Sequence, residues 1–94
     1  MENKMNETKP EYPARTVMKI IAESQENRIS EELLRSSIEQ VFHRLLLAPA
    51  DWRHRRSNGN RYISYTTTVY IQSSEQLASL YEGLLLIPKV RQVL

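Results

Sequence analysis

The sequence predicts an α+β fold of the ferredoxin-like βαββαβ kind, with a four-stranded antiparallel sheet carrying two helices on one face. Two segments repeat apolar residues at helical spacing: Leu34, Ile38, Val41, Phe42 and Leu45 in one, Leu77, Leu80, Tyr81, Leu84 and Leu85 in the other. Strand-like segments rich in β-branched residues surround them in the order strand, helix, strand, strand, helix, strand. Between the two middle strands lies Asn58-Gly59, a strong short-range hairpin signal. Short connections and right-handed crossovers make the two-layer sandwich the economical arrangement. At 94 residues the chain has room for one small domain. Such a domain buries about two thirds of its surface around one thin core.

Residues 1–11 are polar and aperiodic and are expected to form a mobile tail ahead of a single domain over 12–94. Arg15 to Glu23 is the first strand. Its even positions Met18, Ile20 and Ala22 are uncharged and should face the core, because alternate side chains point to opposite faces. Ser30 offers a hydroxyl N-cap, and Glu31 and Glu32 suit the positive end of the helix dipole. The helix should run to about Leu46, before Pro49. Trp52–Ser57 and Arg61–Gln72 are the hairpin strands. A two-residue turn at Asn58-Gly59 would pair Arg55 with Tyr62, His54 with Ile63, Arg53 with Ser64 and Trp52 with Tyr65. Trp52, His54, Ile63, Tyr65, Val69 and Ile71 then face the helices, and a longer turn through Asn60 would change the register. Ser73-Ser74-Glu75-Gln76 reads as a capping box. Pro88 stops the second helix, and Lys89 to Leu94 is the last strand. The predicted core is Met18, Ile20, Leu34, Ile38, Val41, Phe42, Ile63, Val69, Leu77, Leu80, Leu84 and Val90.

Composition excludes several functions. There is no cysteine, hence no disulfide framework, thiolate zinc site or cysteine nucleophile, in keeping with an expected cytoplasmic location. The first thirty residues lack the apolar stretch of a signal peptide. The longest apolar runs, Leu45–Ala48 and Leu84–Ile87, fall far short of the roughly 20 residues that span a bilayer. His43 and His54 are too few for a metal site that needs three or four converging ligands, and no serine has the setting of a nucleophile. With one glycine, Asn58-Gly59-Asn60 is not a phosphate-cradling loop. No catalytic, cofactor or metal residue is therefore expected, and the chain is not expected to be an enzyme.

The formal net charge of +2 is unevenly placed. Between Asp51 and Arg61 four arginines (Arg53, Arg55, Arg56 and Arg61) face one aspartate, so the positive excess belongs to the hairpin. Such charges also keep an exposed strand edge from aggregating.

Three stretches carry a resemblance. They are Tyr12-Pro13 with Lys19-Ile20-Ile21; Ser57 to Ser64 with Tyr62 and Ser64; and Glu75-Gln76-Leu77 and Leu80-Tyr81-Glu82 with Val90-Arg91-Gln92-Val93-Leu94. In this order they resemble the YbeD-like family of small bacterial proteins of unknown function, over roughly Tyr12 to Leu94. The resemblance implies an ACT-like version of the fold and a regulatory or interaction role. Members often lie beside lipoate-attachment genes, which suggests a process without a mechanism. The chain departs from the family in three ways: Ala22 stands where a glycine is common, the hairpin is one residue longer, and Gln92 replaces a usual methionine and would place an amide inward.

The sheet face away from the helices is the expected working surface. It should hold Val17, Ile21, Val93, Thr66 and Thr68, with Tyr62 and a basic rim of Lys19, Arg53, Arg55 and Arg91. An apolar centre with a charged rim has the make-up of an interface. A protein partner is the leading expectation, meeting this face or adding a strand beside Trp52 to Arg56. A homodimer is a further option. Base stacking as in RNA-recognition motifs is disfavoured. The first strand has no aromatic residue from Arg15 to Glu23, and Tyr62 and Tyr70 lie about 26 Å apart along one strand. Nucleic-acid contact would thus be weak and non-specific. An amino-acid-sensing role is disfavoured by Ala22 and by Glu23 and Glu26, which would repel a ligand carboxylate, with Arg28 the nearest base.

Overall fold

A computed structural model describes residues 11–94. Most of the segment expected to be a tail lies outside the described residues. The elements are β1 (Ala14–Glu23), α1 (Arg28–Arg44), β2 (Ala50–Arg56), β3 (Tyr62–Ile71), α2 (Ser74–Leu85) and β4 (Val90–Val93), with a 3-10 turn at Asn58–Asn60 between β2 and β3. The sheet has the order β2-β3-β1-β4 and is antiparallel throughout.

β1 and β3 pair over ten residues each without a bulge, from Ala14 opposite Ile71 to Glu23 opposite Tyr62. Met18, Ile20 and Ala22 on one strand and Ile63, Tyr65, Thr67, Val69 and Ile71 on the other are all buried against the helices. Leu34, Ile38, Val41 and Phe42 from α1, Leu80 and Leu84 from α2, and Val90 complete the core. Each large apolar side chain so buried contributes about 1.5–3 kcal/mol. Of the predicted core, only Leu77 is not fully buried; it packs partly buried at the core's margin. Leu47 joins the core although no sequence period marked it.

Several local expectations are corrected. The N-cap of α1 is Asn27, not Ser30: Asn27 Oδ1 accepts the Ser30 N–H at 2.9 Å. Asparagine caps at least as well as serine, and starting there adds Arg28, Ile29 and Ser30 to the helix. The helix ends at Arg44 rather than Leu46. The Leu46 N–H donates to His43 O (3.0 Å) and the Leu47 N–H to Phe42 O (2.9 Å), with Leu46 left-handed at φ 60°. This is a Schellman closure with leucine where glycine is usual, so no sequence signal announced it. It sends Leu46 into solvent and turns Leu47 inward. At α2, Ser73 Oγ accepts the Gln76 N–H as expected, but Gln76 Oε1 accepts from the Gln72 N–H instead of Ser73, while its amide nitrogen donates to Leu45 O.

The hairpin register also differs. Arg53 lies opposite Thr66, His54 opposite Tyr65, Arg55 opposite Ser64 and Arg56 opposite Ile63. The turn is longer than two residues. Ser57 N–H donates to Tyr62 O, Ser57 Oγ accepts from Tyr62 N–H, and Gly59 (φ 80°) and Asn60 (φ 58°) both take left-handed backbone. The slip is two residues, and because the side-chain period is also two, every residue keeps its expected face. At the start of β2 a second irregularity, with Asp51 at φ 56°, is anchored from the core: buried Thr67 donates its hydroxyl to Ala50 O at 2.7 Å.

The helices approach closely at Gly83. A methyl group placed there would come within 2.7 Å of Val41 Cγ1. In an open helix, glycine to alanine gains up to about 1 kcal/mol, whereas overpacking costs about 1–3 kcal/mol, so the clash should win. Gly83→Ala is expected to destabilise the fold by about 1–2 kcal/mol in denaturant titration. In a Val41→Ala background the same change should be neutral or stabilising. Equal effects in both backgrounds would show that the two residues do not compete for space.

Candidate interaction surface

On the side of the sheet away from the helices, cross-strand pairing sets side chains in rows. Lys19, Thr66 and Arg53 form one row across β1, β3 and β2, and Ile21, Ser64 and Arg55 form the next. Successive rows lie about 7 Å apart along the strands. Val17 pairs with Thr68 in a third row, on the other side of the first. Two adjoining open depressions follow these rows. One, of about 330 Å³, is lined by Lys19, Arg53, His54, Arg55, Ser64 and Thr66. The other, of about 290 Å³, includes Lys19, Ile21, Arg55, Ser57, Tyr62 and Ser64. Val17 and Tyr70 are each 60% exposed on this face. Among the described residues, no carboxylate lies within salt-bridge distance of Lys19, Arg53 or Arg55.

Two expected members of the surface do not belong to it as foreseen. Val93 pairs with Ile20 and packs against the core, while Gln92 pairs with Ile21 and is exposed on the open face. The reason is a bulge: the register shifts between Ile21 and Ala22, leaving Arg91 as the extra residue and reversing the parity expected for β4. The methionine-to-glutamine departure at Gln92 therefore puts its amide in solvent, not inward. Arg91, with Lys89, is paired to the Glu23 carboxylate instead of standing free. That pairing offsets the repulsion expected of Glu23 toward an acidic ligand. Ala22 is fully buried, its methyl among core side chains rather than open to a ligand.

On the helix side of the hairpin, the Arg35 guanidinium lies 4.6 Å from the centroid of Trp52 and 5.8 Å from that of Tyr65. Trp52 meets Phe42 edge to face at 5.8 Å, and Arg56 pairs with Glu31 of α1. These contacts tie β2 to α1, which the sequence periods did not foretell: Glu31 reads only as a first-turn charge, and Arg35 belongs to no apolar period. His54 tilts against Tyr65, and His43 is exposed on α1. Among the described residues, no three potential metal ligands converge. Nor is any helix among them long and apolar enough to cross a membrane.

A family model described as "Protein of unknown function (DUF493)" matches residues 7–94. The chain belongs to the DUF493 family. No curated protein matches its sequence. Solved structures similar to this DUF493 chain include protein HP0495 of H. pylori, with a TM-score of 0.70 at 11% identity, covering 100% of this chain and 97% of the other. The C-terminal domain of the MgtC protein of Mycobacterium tuberculosis gives 0.66 at 18% identity, covering 93% and 89%. The ACT domain of GTP pyrophosphokinase of Chlorobium tepidum gives 0.64 at 11%, covering 85% and 94%. At these identities the likeness is one of fold: the DUF493 chain has the ACT-like, ferredoxin-like architecture.

Tyr65 titrates abnormally. Burial raises its phenol above the ordinary value near 10, and the Glu31 charge raises it further, with Arg35 and Arg56 opposing. The folded state therefore holds the phenol proton more tightly than the unfolded chain. This contribution is complete below about pH 10 and is lost as pH rises through the folded-state value. Unfolding free energy should decline above pH 10, and Tyr65→Phe should make that decline shallower. An unchanged alkaline slope would place its cause elsewhere.

Proposed function

We propose that the chain is a non-enzymatic interaction or regulatory module whose working surface is the open sheet face together with the basic hairpin. One observation supports this above the rest. Exposed apolar side chains and the cations Lys19, Arg53 and Arg55, which no carboxylate among the described residues pairs, share one face, whereas Glu31 and Glu39 are paired on the helix side with Arg56 and Arg35, and Glu23, at the end of the open face, is held by Arg91. Solvated arginines and apolar side chains scattered singly would need no explanation, but Val17, Ile21 and Tyr70 beside these cations on one sheet face suit a protein surface of complementary charge. No residue of this face is assigned a chemical step.

A photo-reactive side chain placed at Thr66 tests the reading in cells. Defined protein adducts are expected there and not from the same group at exposed Ser36 on α1. The combined changes Arg53→Glu and Arg55→Glu should remove most of the adduct. Equal labelling from Thr66 and Ser36 would overturn the reading.

The same cations can meet nucleic-acid phosphates, but no aromatic residue stands between them on β1 or β2 of this face. Binding to single-stranded RNA should be weak, indifferent to sequence and strongly reduced between low and moderate salt. A sequence preference that survives moderate salt would favour an RNA-binding role instead.

A further inference from the structure

The sheet ends on one side at β2, and its pairing identifies which backbone groups are free. Ser57 N–H donates to Tyr62 O, and the ladder continues one to one through Arg56, Arg55, His54 and Arg53. In an antiparallel pair, residues alternate between bonding inward and pointing away. Arg55 and Arg53 are therefore bonded to β3, and the N–H and C=O groups of His54 and Arg56 point outward along the edge. Among the described residues no strand lies beyond them.

The side chains on this edge select its partner. Over the regular stretch Arg53–Arg56, a second copy pairing antiparallel across a two-fold axis is opposed by charge. Centred on Arg53 it sets Arg53 against itself, on His54 it sets Arg53 against Arg55, and on Arg55 or Arg56 it sets that arginine against its copy. Like charges directly opposite destabilise a strand pair. The arrangement that repels a copy favours an extended segment bearing carboxylates at alternate positions, since residues two apart share a face and would stand opposite Arg53 and Arg55. On the helix-side face, Arg56 is already paired with Glu31, so intervening positions of the segment meet no unpaired arginine there.

We propose that β2 accepts, by strand addition, an extended acidic segment of a protein partner with carboxylates two residues apart facing Arg53 and Arg55. This rests on the reading that the open face and hairpin form the working surface, and it names the partner's chemistry and mode of docking. Backbone bonds to His54 and Arg56 supply the alignment, and the two arginines supply the choice of charge.

The test is a titration of the isotope-labelled full chain with a capped peptide, Ser-Thr-Glu-Thr-Glu-Thr-Ser, and with its lysine counterpart. The acidic peptide should give saturable amide shifts at His54 and Arg56, and the lysine peptide none. The double change Arg53→Glu and Arg55→Glu should weaken the acidic peptide by about tenfold or more and confer binding of the lysine peptide. His54→Pro, which removes an outward N–H and no bond to β3, should also lose binding; should that variant not fold, the charge exchange decides alone. Shifts confined to Lys19, Ser64 and Thr66 would overturn strand addition in favour of anion contact on the face. Absence of saturable shifts, equal binding of both peptides, or a dimer protecting the β2 edge would overturn it as well. Any of these outcomes alongside specific adducts from Thr66 would leave the broader reading standing, so the two fail separately.

Discussion

Every residue from Ala14 to Glu23 is paired one to one with a residue of β3, and the rest of the molecule hangs on that unbroken ladder. A slip by one residue would turn Met18, Ile20 and Ala22 to solvent and bring Val17, Lys19 and Ile21 under the helices. Val17 and Ile21 would replace much of the apolar burial of Met18 and Ile20, but the Lys19 ammonium would enter the core unpaired at a cost of several kcal/mol, far above the about 0–1 kcal/mol of an exposed ion pair. Burial therefore fixes the register, and the cations of the open face are placed as its by-product. Lys19 lies beside Thr66 because Ile20 and Tyr65 must both be inside.

The architecture was legible because period and order agreed: helical spacing in two segments, β-branched strands around them, and a glycine hairpin in the middle. The open face was legible for the same reason along β1 and β3. The hairpin survived an error in turn length because the error was even. β4 did not survive its own irregularity. With four residues and a bulge at Arg91, parity counted forward from buried Val90 assigns Gln92 and Val93 to the wrong sides, and no residue type marks where the extra residue falls.

What sequence reasoning missed shares a cause: contacts between elements distant in the chain. Thr67 sits in a run of three threonines, and only the fold shows that its hydroxyl satisfies the carbonyl of Ala50 at a kink seventeen residues earlier. Arg35 belongs to no apolar period of the first helix, yet it covers Trp52 and reaches Tyr65 while bonding Glu39. Such side chains present an apolar stem or planar face to the core margin and a polar end to water, so a periodicity count misfiles them. Leu46 was hidden for another reason: a left-handed residue without glycine leaves no mark in the sequence.

The two ends of the sheet are unequal. β2 offers seven residues at its edge, whereas β4 offers four, interrupted by an extra residue. A sheet propagates into a filament only when each added unit presents a fresh edge as receptive as the one it covered. Here a unit joined through β2 would leave β4 as the next acceptor, too short and too kinked for another full ladder. The bulge that reverses Val93 thus makes the β4 edge a poor acceptor and works against open-ended edge-to-edge propagation.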